Sequence, residues 1–266
     1  MNFSLSLKPA RVFRGALYKL RNSMSLYYTD EDGAKVFVLD FYPEENIYEE
    51  KHTLLYVFVK FEGDDEELLT IEQSILKSTE RLNLDYVGWR LFEGWGEFYF
   101  YAESGKGFEN ALSEALKPKY QYESGNRRDK KYETYKKLLL PNEVEYNRLQ
   151  SEAILSELEE AGDDLDAQHR VEHHAVFMTQ SQRKRFIEEM QEDGFSFLHE
   201  FIDEKAEDDF VYGVVFTKLS ALNFEIIEEQ TAAIFPLIKQ GHGRYEGWGT
   251  EALNIDEEQE EESTPE

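Results

Sequence analysis

Between Val171 and Leu253 the spacing of apolar residues switches from period two to period 3.6 and back, twice over, and few folds accept that rhythm. Val171, His173, Ala175 and Phe177 alternate with Glu172, His174 and Val176, as in a strand with one face buried. Thr179-Gln180-Ser181-Gln182 then reads as a capping box, and Phe186, Ile187 and Met190 form the stripe of a helix stopped by Gly194. Phe195–Ile202 and Phe210–Leu219 read as two strands joined by an acidic turn. Asn223 caps a further helix with Phe224, Ile227, Thr231, Ile234, Phe235 and Ile238 inward. Pro236 is expected to kink it, because proline lacks an N–H and crowds the preceding turn. Gly241 and Gly243 end that helix, and Arg244–Leu253 is the last strand. The order βαββαβ, with right-handed crossovers, puts both helices on one face of an antiparallel sheet, a ferredoxin-like sandwich. A leading helix, Glu143–Glu160, carries Tyr146, Leu149, Ala153, Ile154 and Leu158 along one face and exits at Gly162.

The first half repeats the pattern. Ser25–Asp30 and Ala34–Phe41 flank Glu31-Asp32-Gly33, a hairpin turn in which glycine tolerates positive φ. Leu54–Phe61 is a strongly apolar strand, and Asp64 with Glu67 opens a helix bearing Leu68, Ile71, Ile75 and Leu82. Tyr86–Glu93 and Glu97–Tyr101 form a second hairpin around Gly94-Trp95-Gly96, and Phe108, Leu112, Ala115 and Leu116 mark a helix before Pro118. The fold class is therefore α+β: two tandem ferredoxin-like sandwiches, antiparallel sheets with helices on one face. Tyr-x-Gly-Trp occurs at Tyr86–Trp89 and Tyr245–Trp248, on different strands. Composition shifts at Glu123–Pro141, where Ser124-Gly125-Asn126-Arg127-Arg128 breaks the pattern and Lys130, Lys131, Lys136 and Lys137 follow. The expected parts are a basic leader (1–22), a first domain (23–140), a second domain (141–254) and an acidic, disordered tail (255–266).

There are 56 acidic against 29 basic residues, a formal charge of -27. Such a balance opposes direct nucleic-acid binding, which rests on Lys and Arg neutralising phosphates, and suits a protein partner with a basic patch. Cysteine is absent, which removes disulfides, thiolate metal sites and thiol nucleophiles. No apolar run reaches the ~20 residues of a membrane span, so no membrane contact is expected and the cytoplasm is the expected compartment.

His169-Arg170-Val171-Glu172-His173 matches H-x-x-E-H, a zinc motif that works on a helix. On the strand expected here the two imidazoles lie ~13 Å apart, too far for one ion. A milder metal site would use Glu172, His174 and His199. The plainer reading makes Glu172 and His173 a buried polar pair that fixes sheet register, and makes Trp248 a core plug beside Gly247 and Gly249, which let the strand bulge. No phosphate loop, nucleophile elbow or other convincing catalytic motif is present, so no catalytic residue, metal or cofactor is assigned.

Glu143–Leu253 resembles the B-type regulators of ribonuclease E activity. The resemblance is carried by the amphipathic leading helix, its Ala161-Gly162-Asp163-Asp164 exit, Val171-Glu172-His173-His174, and Tyr245-Glu246-Gly247-Trp248-Gly249-Thr250. Ser23–Pro141 is similar to the domain-of-unknown-function family 695 through Tyr27-Tyr28, Asp32-Gly33, the Gly94–Tyr101 hairpin, and Arg128-Asp129 leading through Tyr135 to Leu140-Pro141. The first resemblance implies a non-enzymatic, acidic regulator that binds a ribonuclease. The expected docking surface is the sheet face without helices, with Glu172, His173, His174, Tyr245, Gly247, Trp248 and Gly249 as candidate interface residues. The alternative is a small-ligand or metal-binding module with weak or no hydrolase activity.

Overall fold

A two-residue turn sets the centre of the first sheet. Glu93 and Gly94 both take positive φ, the geometry that folds a right-twisted hairpin back on itself, and they join β4 (Leu84–Phe92) to β5 (Trp95–Ala102). An earlier hairpin pairs β1 (Ser25–Tyr28) with β2 (Lys35–Val38), turning at Gly33 with φ 70. The structure, a computed structural model, describes residues 25–39, 51–204, 206 and 208–253. The basic leader, the end of the second strand at Phe41 and the acidic tail lie outside the described residues.

β3 (Thr53–Lys60) is apolar on both faces and occupies the sheet interior between β5 and β6 (Gln121–Arg128). α1 (Asp65–Thr79), capped by the Asp64 carboxylate accepting the Glu67 N–H, and α2 (Phe108–Leu116) cover one face. Their core joins Leu68, Ile71, Ile75 and Leu112 to Val57, Phe98, Phe100 and Trp89. The strand order β1-β2-β4-β5-β3-β6 is a ferredoxin-like sandwich whose β4 edge is extended by the first hairpin. The segment read from composition as a break, Ser124–Arg128, is part of β6. Gly125 stands opposite Tyr56, and a Cβ there would lie within 2.4 Å of the Tyr56 hydroxyl, so the glycine makes room for the ring. On the face without helices, Tyr101 donates to Asp129 (2.8 Å), whose carboxylate also accepts the Glu133 and Thr134 N–H groups. That cap starts a turn ending in a π-helical stretch, Tyr135–Leu139, which buries Tyr132, Tyr135 and Leu139.

Contacts divide the described residues into two compact units between Tyr146 and Asn147. The second sheet has the order β10-β7-β9-β8: β7 (His169–Phe177), β8 (Ser196–Ile202), β9 (Tyr212–Ser220) and β10 (Arg244–Gly249), all antiparallel. The Thr179–Gln182 capping box opens α4 (Gln180–Glu192), and Asn223 caps α5 (Phe224–Gln240) by accepting the Ile226 N–H. α5 runs helical through Pro236, with Ile234 and Phe235 buried before the expected kink and Ile238 after it. The leading helix α3 (Glu143–Glu160) turns a different stripe inward than the apolar spacing suggests: Asn147, Ser151, Leu155 and Leu158 are buried, while Ala153 is exposed.

Candidate functional site

The second domain gathers the residues of interest on β7 and β10, where the strand period and a bulge in β10 sort them onto opposite faces. His173, Tyr245 and Trp248 point under the helices. The His173 ring is fully buried, stacked on Phe216 (5.5 Å between centroids) and edge-on to Phe195. Its Nε2 lies 3.0 Å from the Gln230 carbonyl oxygen, which only accepts, so the proton sits on Nε2. Nδ1 then accepts from the Tyr245 hydroxyl at 2.8 Å, and Gln230 passes a donor on to Ser220 at 2.7 Å. Burial pushes the imidazole down to about 3 and raises the Tyr245 phenol well above its ordinary value, so both stay neutral. Trp248 lies in a core with Leu155, Leu158, Val171, Leu222 and Ile227, and its indole N–H donates to Ser151 on α3 at 2.8 Å. These three are framework side chains.

Glu172, His174, Gly247 and Gly249 lie on the face without helices, where Gly247 pairs with His174 and Gly249 with Glu172. A β-bulge falls between Tyr245 and Gly247, and Gly247 takes φ 112 there. Glu172 is half-buried and reaches Arg170 at 3.2 Å, so it and His173 are not a pair: successive residues of one strand face opposite ways. His174 is buried, and loss of hydration together with the neighbouring His199 lowers its imidazole to about 4. Both histidines stand opposite Val215 of β9.

The H-x-x-E-H residues do not converge. β7 is a strand throughout, and His169 bonds the Ala167 carbonyl (3.0 Å) and Asp163 (3.1 Å). Among the described residues no group of three or more His, Cys, Asp or Glu could hold a metal ion, and no helix is long and apolar enough to cross a membrane. Sequence reasoning passed over Gln230, Ser151 and the buried Asp163–His169 pair. Gln230 carried a signal, a polar residue on the same helical stripe as Ile227 and Ile234.

β8 is the exposed element of this domain. Phe197 is 41% and Ile202 60% exposed, Leu198 is also open, and the strand forms one edge of the sheet. Its one carboxylate, Glu200, is met by Arg183 at 2.5 Å. The equivalent strand of the first sheet, β4, is paired on that side by β2.

A model of the family described as regulator of ribonuclease activity B matches residues 148–250. One of a family of unknown function, DUF695, matches residues 62–140. A regulator of ribonuclease activity B from Haemophilus ducreyi is 30% identical over 105 residues, covering 39% of this chain and 72% of that relative. A crystal structure of an unknown protein from Galdieria sulphuraria covers 77% of this chain and 100% of its own at 10% identity, with a TM-score of 0.23.

Proposed function

The chain belongs to the family of regulators of ribonuclease activity B, and from that premise we propose that it is a non-enzymatic, cytoplasmic protein that binds a ribonuclease through its second domain and changes that enzyme's activity. The observation that carries the reading is the open β8 edge. Unpaired strand edges are normally blunted by Lys, Pro, a β-bulge or a covering segment; β8 has a bulge between Phe197 and His199, yet its exposed side chains include Phe197, Leu198 and Ile202. An extended segment of the partner adds to such an edge through main-chain hydrogen bonds, while apolar side chains at alternate positions give selectivity. The chain's negative charge favours a basic or mixed partner surface and speeds the encounter. Glu172, His174, Gly247 and Gly249, on the sheet face without helices and separated from this edge by β9, are the contact candidates that remain outside the helix-covered core.

The test is binding and RNA cleavage by a purified ribonuclease with the full chain and with the Phe197→Lys/Ile202→Lys variant. Ile202 is mostly and Phe197 partly exposed, so the loss of stability should stay at about 1 kcal/mol, which thermal unfolding of the variant checks. The expected result is altered cleavage by the parent chain and at least tenfold weaker binding by the variant. A variant that binds as well as the parent, or a parent chain without effect on cleavage, overturns the reading.

A further inference from the structure

The average charge of this chain conceals a local reversal. Residues 117–137 hold eight Lys and Arg against three acids, in a protein of net charge -27. Two of those acids are committed: Asp129 caps the turn beneath Tyr101, and Glu133 pairs with Lys137 at 2.5 Å. Arg127, Arg128, Lys130 and Lys131 are all exposed along the end of β6 and the turn that follows. The turn is built rather than loose, since the Asp129 carboxylate takes two backbone N–H groups and Arg127 donates to Thr134 at 2.8 Å.

Aromatic rings lie beside this ridge. Arg127 stands opposite Leu54, and Gly125 opposite Tyr56, one strand pleat (~7 Å) along β6. Tyr56 and Phe58 are half-buried on the face without helices, with centroids 5.1 Å apart, and Tyr99 meets Phe58 edge-on at 6.0 Å. Glu97 on the same face shares one cation, Arg90, with Asp32, and Glu123 stands opposite Phe58 in the same row. Cations at a strand end with half-buried rings on the adjoining strand are what a single nucleic-acid strand requires: phosphates neutralised on one side, bases stacked on the other. We propose that the first domain binds single-stranded nucleic acid, with Arg127, Arg128, Lys130 and Lys131 on the phosphates and Tyr56 and Phe58 beneath the bases. Beyond about a Debye length of ~8–10 Å, the remaining acidic surface is screened at ordinary salt and does not cancel the ridge. This inference concerns the first domain and stands or falls apart from the partner proposed for the second.

The probe is a fluorescein-labelled oligouridine of about 12 nucleotides, titrated by anisotropy against the full chain from about 50 to about 200 mM salt. The expected result is binding whose log affinity falls with log salt with a slope of roughly -2 to -3, for three or four phosphates neutralised on a single strand. Arg128→Glu/Lys130→Glu/Lys131→Glu, with unchanged thermal unfolding, should weaken it at least tenfold. Phe58→Ala should weaken it roughly fivefold or more without changing the salt slope, which separates stacking from charge. No binding at about 50 mM salt, no loss on charge reversal, or equal affinity for a duplex of the same length overturns the proposal. So does a polyglutamate peptide that binds where the RNA does not, an outcome that assigns the ridge to an acidic protein segment.

Discussion

The tetrapeptide Tyr-x-Gly-Trp occurs once in each sheet, and its two copies show what a local sequence can and cannot decide. In both, the register slips between the tyrosine and the glycine, the glycine takes positive φ (137 at Gly88, 112 at Gly247), and the tryptophan drops into the helix-covered core. The same bulge forms on β4, second strand of its sandwich, and on β10, fourth strand of the other. The motif therefore encodes a bend, not a place in the topology. What differs is the company. β4 lies inside the sheet, covered by β2, and the Trp89 indole N–H is buried with no hydrogen-bond partner. β10 is an edge strand, and Trp248 finds Ser151. The first domain closes its β4 edge with its own hairpin and fills its core with apolar groups. The second leaves both edges unpaired among the described residues and threads a neutral Ser220–Gln230–His173–Tyr245 chain through its centre.

The sharpest way to separate the domains is acid. His173 and His174 have folded pKa values of about 3 and about 4, below the ordinary 6.5. The unfolded chain then binds more protons than the native one below pH 6.5. The stability these neutral imidazoles contribute is present above 6.5 and is lost as pH falls toward 3. At pH 5 each costs roughly 2 kcal/mol, about 4 kcal/mol together. The raised carboxyl of Glu246 offsets a little of this, as that of Glu72 does in the first domain. Asp129 in the first domain has a lowered pKa, so its contribution disappears only below the carboxylate range, in a more acidic window. Calorimetric scans between pH 7 and 5 should show the second domain's transition, marked by Trp248 fluorescence with Trp89 and Trp95 replaced by Phe, fall much faster than the first's. Parallel shifts would break the contrast.

Glycine substitution comes next. At Gly88 an added Cβ would sit 2.2 Å from the Phe37 carbonyl oxygen of β2, backbone that cannot swing aside, on top of the positive φ. At Gly247 nothing lies within 4 Å, so only the φ strain remains. Gly88→Ala should cost roughly 3 kcal/mol or more and Gly247→Ala about 1–2 kcal/mol, by urea unfolding. Equal costs would mean that β2 does not hold β4 as tightly as the register implies.

Much of this fold is legible from residues alone, for reasons visible in particular elements. The caps at Asp64, Thr179 and Asn223 each satisfy an N–H group three residues away, so sequence contains both partners. The inward setting of His173 follows from alternation along β7. β6 is harder: Gln121–Arg128 is polar because it forms an edge, and its glycine makes sense only against Tyr56 on a distant strand. The stripe of α3 is hidden for the same reason, since Ser151 is inward because Trp248 needs an acceptor. Glu172 and His174 fall on the face without helices because period two puts them there, and the bulge after Tyr245 sets Gly247 and Gly249 on that face as well. That β8 is left open while its counterpart is covered depends on a hairpin in the other half of the chain.

The smallest contrast tests the two indoles directly. Trp248→Phe removes a buried donor and leaves Ser151 with only its bond to the Asn147 carbonyl, at 2.9 Å. Trp89→Phe removes a donor that has no partner, so the lost ring volume is set against relief of an unsatisfied N–H. Both changes lose similar apolar contact, because both rings are buried among helix and sheet side chains. The difference between them should therefore approximate one buried hydrogen bond plus one relieved donor, about 1–2 kcal/mol, with Trp248→Phe the more destabilising. Chemical unfolding of the two single variants measures it. An equal or reversed order would mean that Ser151 contributes only packing to α3, and that the polar stripe Asn147–Ser151 is tolerated there rather than required by the tryptophan it meets.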